Sequence, residues 1–417
     1  MRPFAIVRVL RIAAMVLGTG LLVSCSLTVD WASLSAGSDE RTDARTEDAP
    51  LPTIDALDER PPPPQDAGFD GDSSCSADLN SDANNCGRCG RSCGPTACSA
   101  GRCAPQIIAE GLNGPNNLFL ANGRQYVRSA RHVPGEGFHD MLGWSAVTGG
   151  PFTLVRLSNS DPRVARPGER GGLSQGAGYL FYIVNCAVAR AQLDASVVLD
   201  TADVFCGSSL PTHASGGVYY KRGGGLISSR PLSQFGDTNA ATDQPFASVP
   251  GEIRSIVEFG GGLAVATENL VTTLPVTNPN AQVEIASAQQ NVIGLAALGD
   301  TLAWARVRAD GPAMVWARPG QAQIDVVPLS MDLVPTGVAL DETHAYFAAR
   351  GAKPGTGVVG RVDRSSKAME ILAQGENEPG DVAVDGTHVY WVDRGTFDAD
   401  AGPDAAPQDG SIRRVPK

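Results

Sequence analysis

The chain has 417 residues, and 45 acidic against 33 basic side chains leave a net charge of −12. Twelve of the acids lie between Asp30 and Asp72, against only Arg41, Arg45 and Arg60, so one segment carries nine of those twelve charges. The acidity therefore belongs to that segment and not to the rest of the chain, and no nucleic-acid partner is expected.

Residues 1–24 open with Arg2, Arg8 and Arg11 and continue in an apolar run from Ile12 to Val23, too short to span a bilayer. That is the profile of an export signal. The run ends in LVSC, which resembles the lipobox of bacterial lipoproteins. The resemblance implies cleavage before Cys25 and lipid attachment to it. It also implies an exported protein held to the cell envelope through that lipid. Ser26 and Leu27 present no aspartate-type retention signal, which favours the outer membrane. Residues 25–74 have no periodic apolar pattern, are rich in Pro, Asp, Ser and Thr, and include PPPP at 61–64. They predict a disordered acidic linker with a reach of roughly 40 Å.

Eight cysteines remain after Cys25. Six cluster within residues 75–103: Cys75, Cys86, Cys89, Cys93, Cys98 and Cys103. In an exported chain an even cluster in so short a segment predicts a disulfide module of three bridges, in any of fifteen pairings. CGRC at 86–89 also suits zinc or a redox dithiol, but no strand-helix pattern surrounds it. Asp78, Asn80, Asp82 and Asn84 alternate like the first half of a calcium loop, yet Ala83 and Cys89 stand where such a loop needs Gly and Glu. Turns that bend the chain between bridges explain the same residues. No metal and no cofactor is expected. Cys186 and Cys206 are expected to form a further disulfide.

From residue 104 the chain repeats. PTGVALDETHAYFAARG (335–351) aligns with PGDVAVDGTHVYWVDRG (379–395) at an offset of 44, and IAEGLNGP (108–115) aligns with LAQGENEP (372–379) at 264, which is six times 44. Taking Tyr390 as anchor, the equivalents are Tyr126, Leu180, Tyr219, Ala264, Ala303 and Tyr346. Each unit contains four short strand patterns, a period that signals a propeller blade. The expected fold is therefore all-β: a seven-bladed β-propeller over 104–417, preceded by the disulfide module and the linker. The chain stops after a third strand, so Gln106–Glu110 is expected to supply the fourth and close the ring between the two ends of the domain.

His344 and His388 recur with Thr343 and Thr387 in the turn between first and second strands. Periodic residues read as architecture, and both histidines are expected to bond between neighbouring blades. Asp341 and Asp385 open the turns and are expected to accept their N–H groups. The last two units, with SIRRVPK, resemble the repeats of TolB-like and NHL-like bacterial propellers. The module NNCGRCGRSC is similar to segments of bacterial surface lipoproteins. That resemblance implies fold and location, in a family that holds both binding scaffolds and a few lyases.

No G-x-S-x-G elbow, phosphate-binding glycine loop or paired histidine ligands occur. The expected role is a non-enzymatic recognition or scaffold protein. The alternative is elimination catalysed by a loop histidine, for which His132, His139 and His213 remain. Asp398, Asp400, Asp404 and Asp409 fall in an inserted loop, 397–409, expected to be solvated rather than cation-binding. Beyond their anchors, Arg222 and Arg306 stand three residues on, Arg350 and Arg394 four, and Arg131 five. Units two and four offer Asn185 and Glu268 instead. One expectation is pairing with acids such as Asp393 or Glu136. The sharper one is a funnel of guanidinium groups for an anionic glycan or an envelope protein.

Overall fold

A computed structural model of the chain describes residues 76–133, 137–156, 172–184, 187–193, 200–203, 209–235, 243–321, 323–396 and 409–417. The expected signal, Cys25, the linker, Cys75, Cys186, Cys206 and most of the 397–409 loop lie outside them. The described residues all fall within one compact unit. Among the described residues no helix is long and apolar enough to cross a membrane.

The fold is all-β and every strand pairing is antiparallel. Five four-stranded sheets follow one another along the chain: 174–203, 209–248, 253–286, 292–328 and 334–376. A seven-stranded sheet joins Pro379–Val384, His388–Asp393 and Gly410–Pro416 to Gln106–Ala121, Arg124–Val133, Gly137–Ala146 and Thr153–Arg156. Gln106–Ala121 belongs to it twice. Its first half pairs with Gly410–Pro416, as Gln106 with Arg414 and Leu112 with Gly410, and its second half pairs with Arg124–Val133.

The anchor residues explain why the sheets stack. Tyr126, Tyr219, Ala264, Ala303, Tyr346 and Tyr390 are each the third residue of their strand, Leu180 is the second of Tyr179–Val184, and all seven are buried. Alternation along a second strand sends neighbouring side chains to opposite faces, so each strand fills two cores at once. Ala264 and Ala266, for example, pack with Leu302, Trp304 and Val315 of the next sheet. First strands approach closely: a Cβ on Gly337 would lie 2.8 Å from Gly380 O and from Val382 N. At that place Thr336 Oγ1 donates to Pro379 O at 2.6 Å.

The repeated turn is built around its aspartate. Asp341 Oδ1 accepts N–H bonds from Thr343 (2.8 Å) and His344 (2.7 Å), and Oδ2 accepts Tyr346 O–H (2.7 Å). Asp385 repeats the set with Thr387, His388 and Tyr390. Burial would raise the Asp341 carboxyl, but Lys417 Nζ at 2.7 Å, Tyr346 and the turn N–H groups hold it well below the usual range. The histidines depart from expectation. His344 Nδ1 meets Thr343 Oγ1 of its own turn and its Nε2 lies 3.8 Å from Asp363 of its own sheet. At these turns Lys417 bonds across to Asp341 and Arg364 across to Thr301.

The cysteine module is docked. Cys86 is bonded to Cys98 and Cys93 to Cys103, and Cys89 is also in a disulfide. The sulfurs of Cys86, Cys93 and Cys103 lie within 4.8 Å of one another, a metal-like spacing that the disulfides account for. Asp78 accepts Asn80 N–H and Ser81 O–H, and Asp82 accepts Asn84 N–H and an Asn85 amide N–H, so the alternating oxygens form turns. Arg91, 4% exposed, donates to Glu370 (2.8 Å) and to Pro416 O (3.0 Å). Arg102 reaches Gln374 and Arg88 reaches Lys417 O. The module thus lies against the outermost strand, Met369–Glu376, whose unpaired edge would otherwise be open.

Candidate functional site

Second strands run from the aspartate turns to the opposite end of each sheet, and there the arginines stand. Parity along the strand decides their fates. Arg350 and Arg394, four residues past their anchors, share the anchors' parity. Arg306, three past, shares the parity of Trp304. Arg306 is accordingly turned into the sheet-to-sheet core, 9% exposed, and donates from Nη1 to Gln289 Oε1 at 3.2 Å. Burial, then the nearby Arg308, lowers its pKa against the pull of Asp310. The Arg306 Nε is buried without a hydrogen-bond partner, as that of Arg394 is. Arg222 is half-buried, and the neighbouring Lys221 is paired with Glu252. The side chains of Arg131, His132, Glu136 and His139, and all of Asn185, lie outside the described residues. Glu268 is paired with Arg254.

Arg350 and Arg394 come together around Glu378. Arg350 ends its strand with its side chain 52% exposed, and Nη1 stands 3.9 Å from Glu378 Oε1 in the loop that leads into the next sheet. Arg394 follows Asp393, and its backbone N–H donates to Glu378 O at 3.0 Å. Its Nε is buried with no hydrogen-bond partner. A Cβ on Gly380 would lie 3.2 Å from that Nε, so a glycine makes room for the guanidinium. Burial lowers the Arg394 pKa, with Glu378 and Asp381 opposing and Arg350 adding to the fall. Asp381 is held by Leu118 N–H at 3.2 Å, which ties this end to the strand from the start of the domain.

Beneath these arginines lies a cluster that sequence reasoning missed. Glu376 and Asp393 are each 1% exposed. Glu376 Oε2 accepts Trp391 Nε1–H (2.8 Å) and Arg413 Nη1–H (3.1 Å), while Arg413 Nη2 stands 3.5 Å from Asp393 Oδ2. Asp393, expected to pair with an arginine of the ring, pairs with Arg413 instead. The signal was present in the spacing: Trp304 bonds Gln289 and Trp391 bonds Glu376, each fifteen residues upstream.

The described histidines stand elsewhere. His213 stacks on Phe181 at 5.8 Å, burial lowers its pKa against Glu258, and His344 and His388 belong to the turns at the far end. Near His388 a cavity of about 300 Å³ opens between the module and the last sheet. Arg414 lines it, but its guanidinium is taken by Gln106 and Val147 O.

No protein-family model matches this chain, and no curated protein matches it. Solved structures do. The Pan2 WD40 domain of Neurospora crassa matches at 9% identity over 75% of this chain and 95% of that one, with a TM-score of 0.51. U3-55K matches at 9% identity over 75% and 98%, with a TM-score of 0.53. A chain of the mitotic checkpoint complex matches at 11% identity over 75% and 94%, with a TM-score of 0.52. At such identities the likeness is one of fold, and it defines an all-β chain of WD40-like, propeller type.

Proposed function

We propose that the chain is a seven-bladed propeller closed between its two ends, exported and anchored through lipid on Cys25. In this reading its arginine-bearing end is a non-enzymatic recognition surface for an acidic protein segment at the envelope. Seven buried anchors and the pairing of 106–112 with 410–414 support the ring. The recognition reading rests on one observation: the half-exposed Arg350 stands beside Arg394 at one end of the sheets, and Arg394 keeps a buried Nε without a partner. The fork geometry of the two guanidiniums suits carboxylates. His213, His344 and His388 stand at the other end, whereas the strands place His132 and His139 beside Arg131 at the arginine end, where elimination by a loop histidine would have to act.

The test is binding of polyglutamate to the full chain and to Arg350→Glu with Arg394→Glu. The wild type should hold it with an affinity that falls steeply as salt rises. The double variant should lose about tenfold or more while its melting curve stays unchanged. Equal retention by both chains would refute the site. An anionic polysaccharide held in place of polyglutamate would shift the partner from protein to glycan.

A further inference from the structure

Trp304 and Trp391 occupy the same place in different sheets, one residue past the anchor, and each donates its indole N–H to an acceptor fifteen residues earlier. In the 292–328 sheet that acceptor is the amide Gln289. In the last sheet it is the carboxyl of Glu376. An amide accepts there with no counter-charge, whereas an ionised carboxylate buried to 1% exposure is costly unless fully paired. Its one cation, Arg413, is shared with Asp393. Two buried carboxyls against one guanidinium leave a negative charge in excess, and touching carboxyls resist ionising together. Burial lifts the Glu376 carboxyl to about 7, against Arg413 and the Trp391 N–H and with help from Asp393.

The groups facing Glu376 come from each neighbouring element. Arg413 projects from Gly410–Pro416, and Trp391 and Asp393 from His388–Asp393. Gly357 stands opposite on Gly357–Asp363, and Glu378 follows in the loop. Asp393 wires this cluster to the arginine end, because its carboxylate accepts the N–H groups of Asn377 (3.2 Å), Glu378 (3.3 Å) and Gly395 (3.1 Å). Those bonds fix the loop that presents Glu378 to Arg350 and the residue that follows Arg394.

We propose that Glu376 is a proton switch for the arginine end, a reading that rests on that end being an anion site. Protonated, Glu376 accepts the indole N–H as Gln289 does, and Asp393 keeps Arg413 and its three N–H groups. When the proton leaves to water, the excess charge competes for Arg413. The loop through Glu378 then loosens while negative charge builds beneath Arg394. Anion binding therefore weakens as pH rises through neutrality.

The test measures protection of the Asn377, Glu378 and Gly395 amides from hydrogen exchange between about pH 5.5 and 8.5, corrected for intrinsic rates, in the full chain and in Glu376→Gln. Polyglutamate binding is followed in parallel. In the wild type, protection should fall about tenfold with a midpoint near 7, and affinity should fall with it. Glu376→Gln should hold both flat. Infrared spectra of the wild type supply an independent readout, a protonated-carboxyl C=O band that vanishes over the same range. Level protection in the wild type, the same fall in Glu376→Gln, or no titrating band would each overturn the switch. Protection that titrates in a chain that binds no polyglutamate at any pH keeps the switch and refutes the anion site instead.

Discussion

The corner around Trp304 and the corner around Trp391 share a spacing and differ in charge. At the first, Gln289 accepts from Trp304 and from Arg306, three residues past the anchor. At the second, Glu376 accepts from Trp391, Asp393 stands three past the anchor where Arg306 stood, and the cation arrives from another strand as Arg413. One corner is a neutral acceptor with a cation, and the other is two acids contending for one. The lesson is that a repeat fixes where a buried acceptor sits but not what it must carry. The charged version also lies where the two ends of the domain pair, directly below Arg350, Glu378 and Arg394.

The largest expected effect removes the support of one corner alone. Arg413 lies on the strand that pairs with Gln106–Leu112, so deleting residues 105–111 should lower the melting temperature by roughly 10 °C or more, because it takes away most of one strand's burial and pairing. Amide exchange should then show loss of protection at 388–393 before 301–308. A chain that melts like the wild type would contradict the pairing. A smaller contrast comes from the cations. Arg413→Met leaves two buried carboxyls without a cation and should cost about 2–4 kcal/mol near pH 8, whereas Arg306→Met removes a bond to a neutral amide and should cost about 1 kcal/mol. Chemical denaturation of both variants checks this, and equal losses would mean that the two corners do not differ in charge as described.

The repeat was legible because its anchors must be buried in every unit. A tyrosine, leucine or alanine at a fixed place, with Asp-x-Thr-His ahead of it, marks strand, turn and strand. The aspartate turns were legible for the same reason, since Asp341 and Asp385 act on neighbours two and three residues away. What stayed hidden acts across the chain. Arg91 meets Glu370 across 279 residues, so no local pattern showed that the cysteine module lies on Met369–Glu376. Among the candidate arginines, counting from the anchor located the strand end. The difference between three and four residues, which turns Arg306 inward and leaves Arg350 outward, is a matter of strand parity. Glu376 resembled its equivalents in no chemical respect except its distance from a tryptophan.

Stability against pH, measured for the wild type and Glu376→Gln, tests the central contrast most directly. The folded carboxyl, at about 7, lies above its ordinary 4.5, so between those values the folded chain holds a proton that the unfolded chain has released. Stability of the wild type relative to Glu376→Gln should therefore be level below about 4.5, fall as pH rises to about 7, and stay level above it, by an amount on the order of 3–3.5 kcal/mol at most. Parallel curves for the two proteins across that window would contradict the account. They would mean that Glu376 is ionised throughout and that the two corners, for all their difference in composition, behave alike.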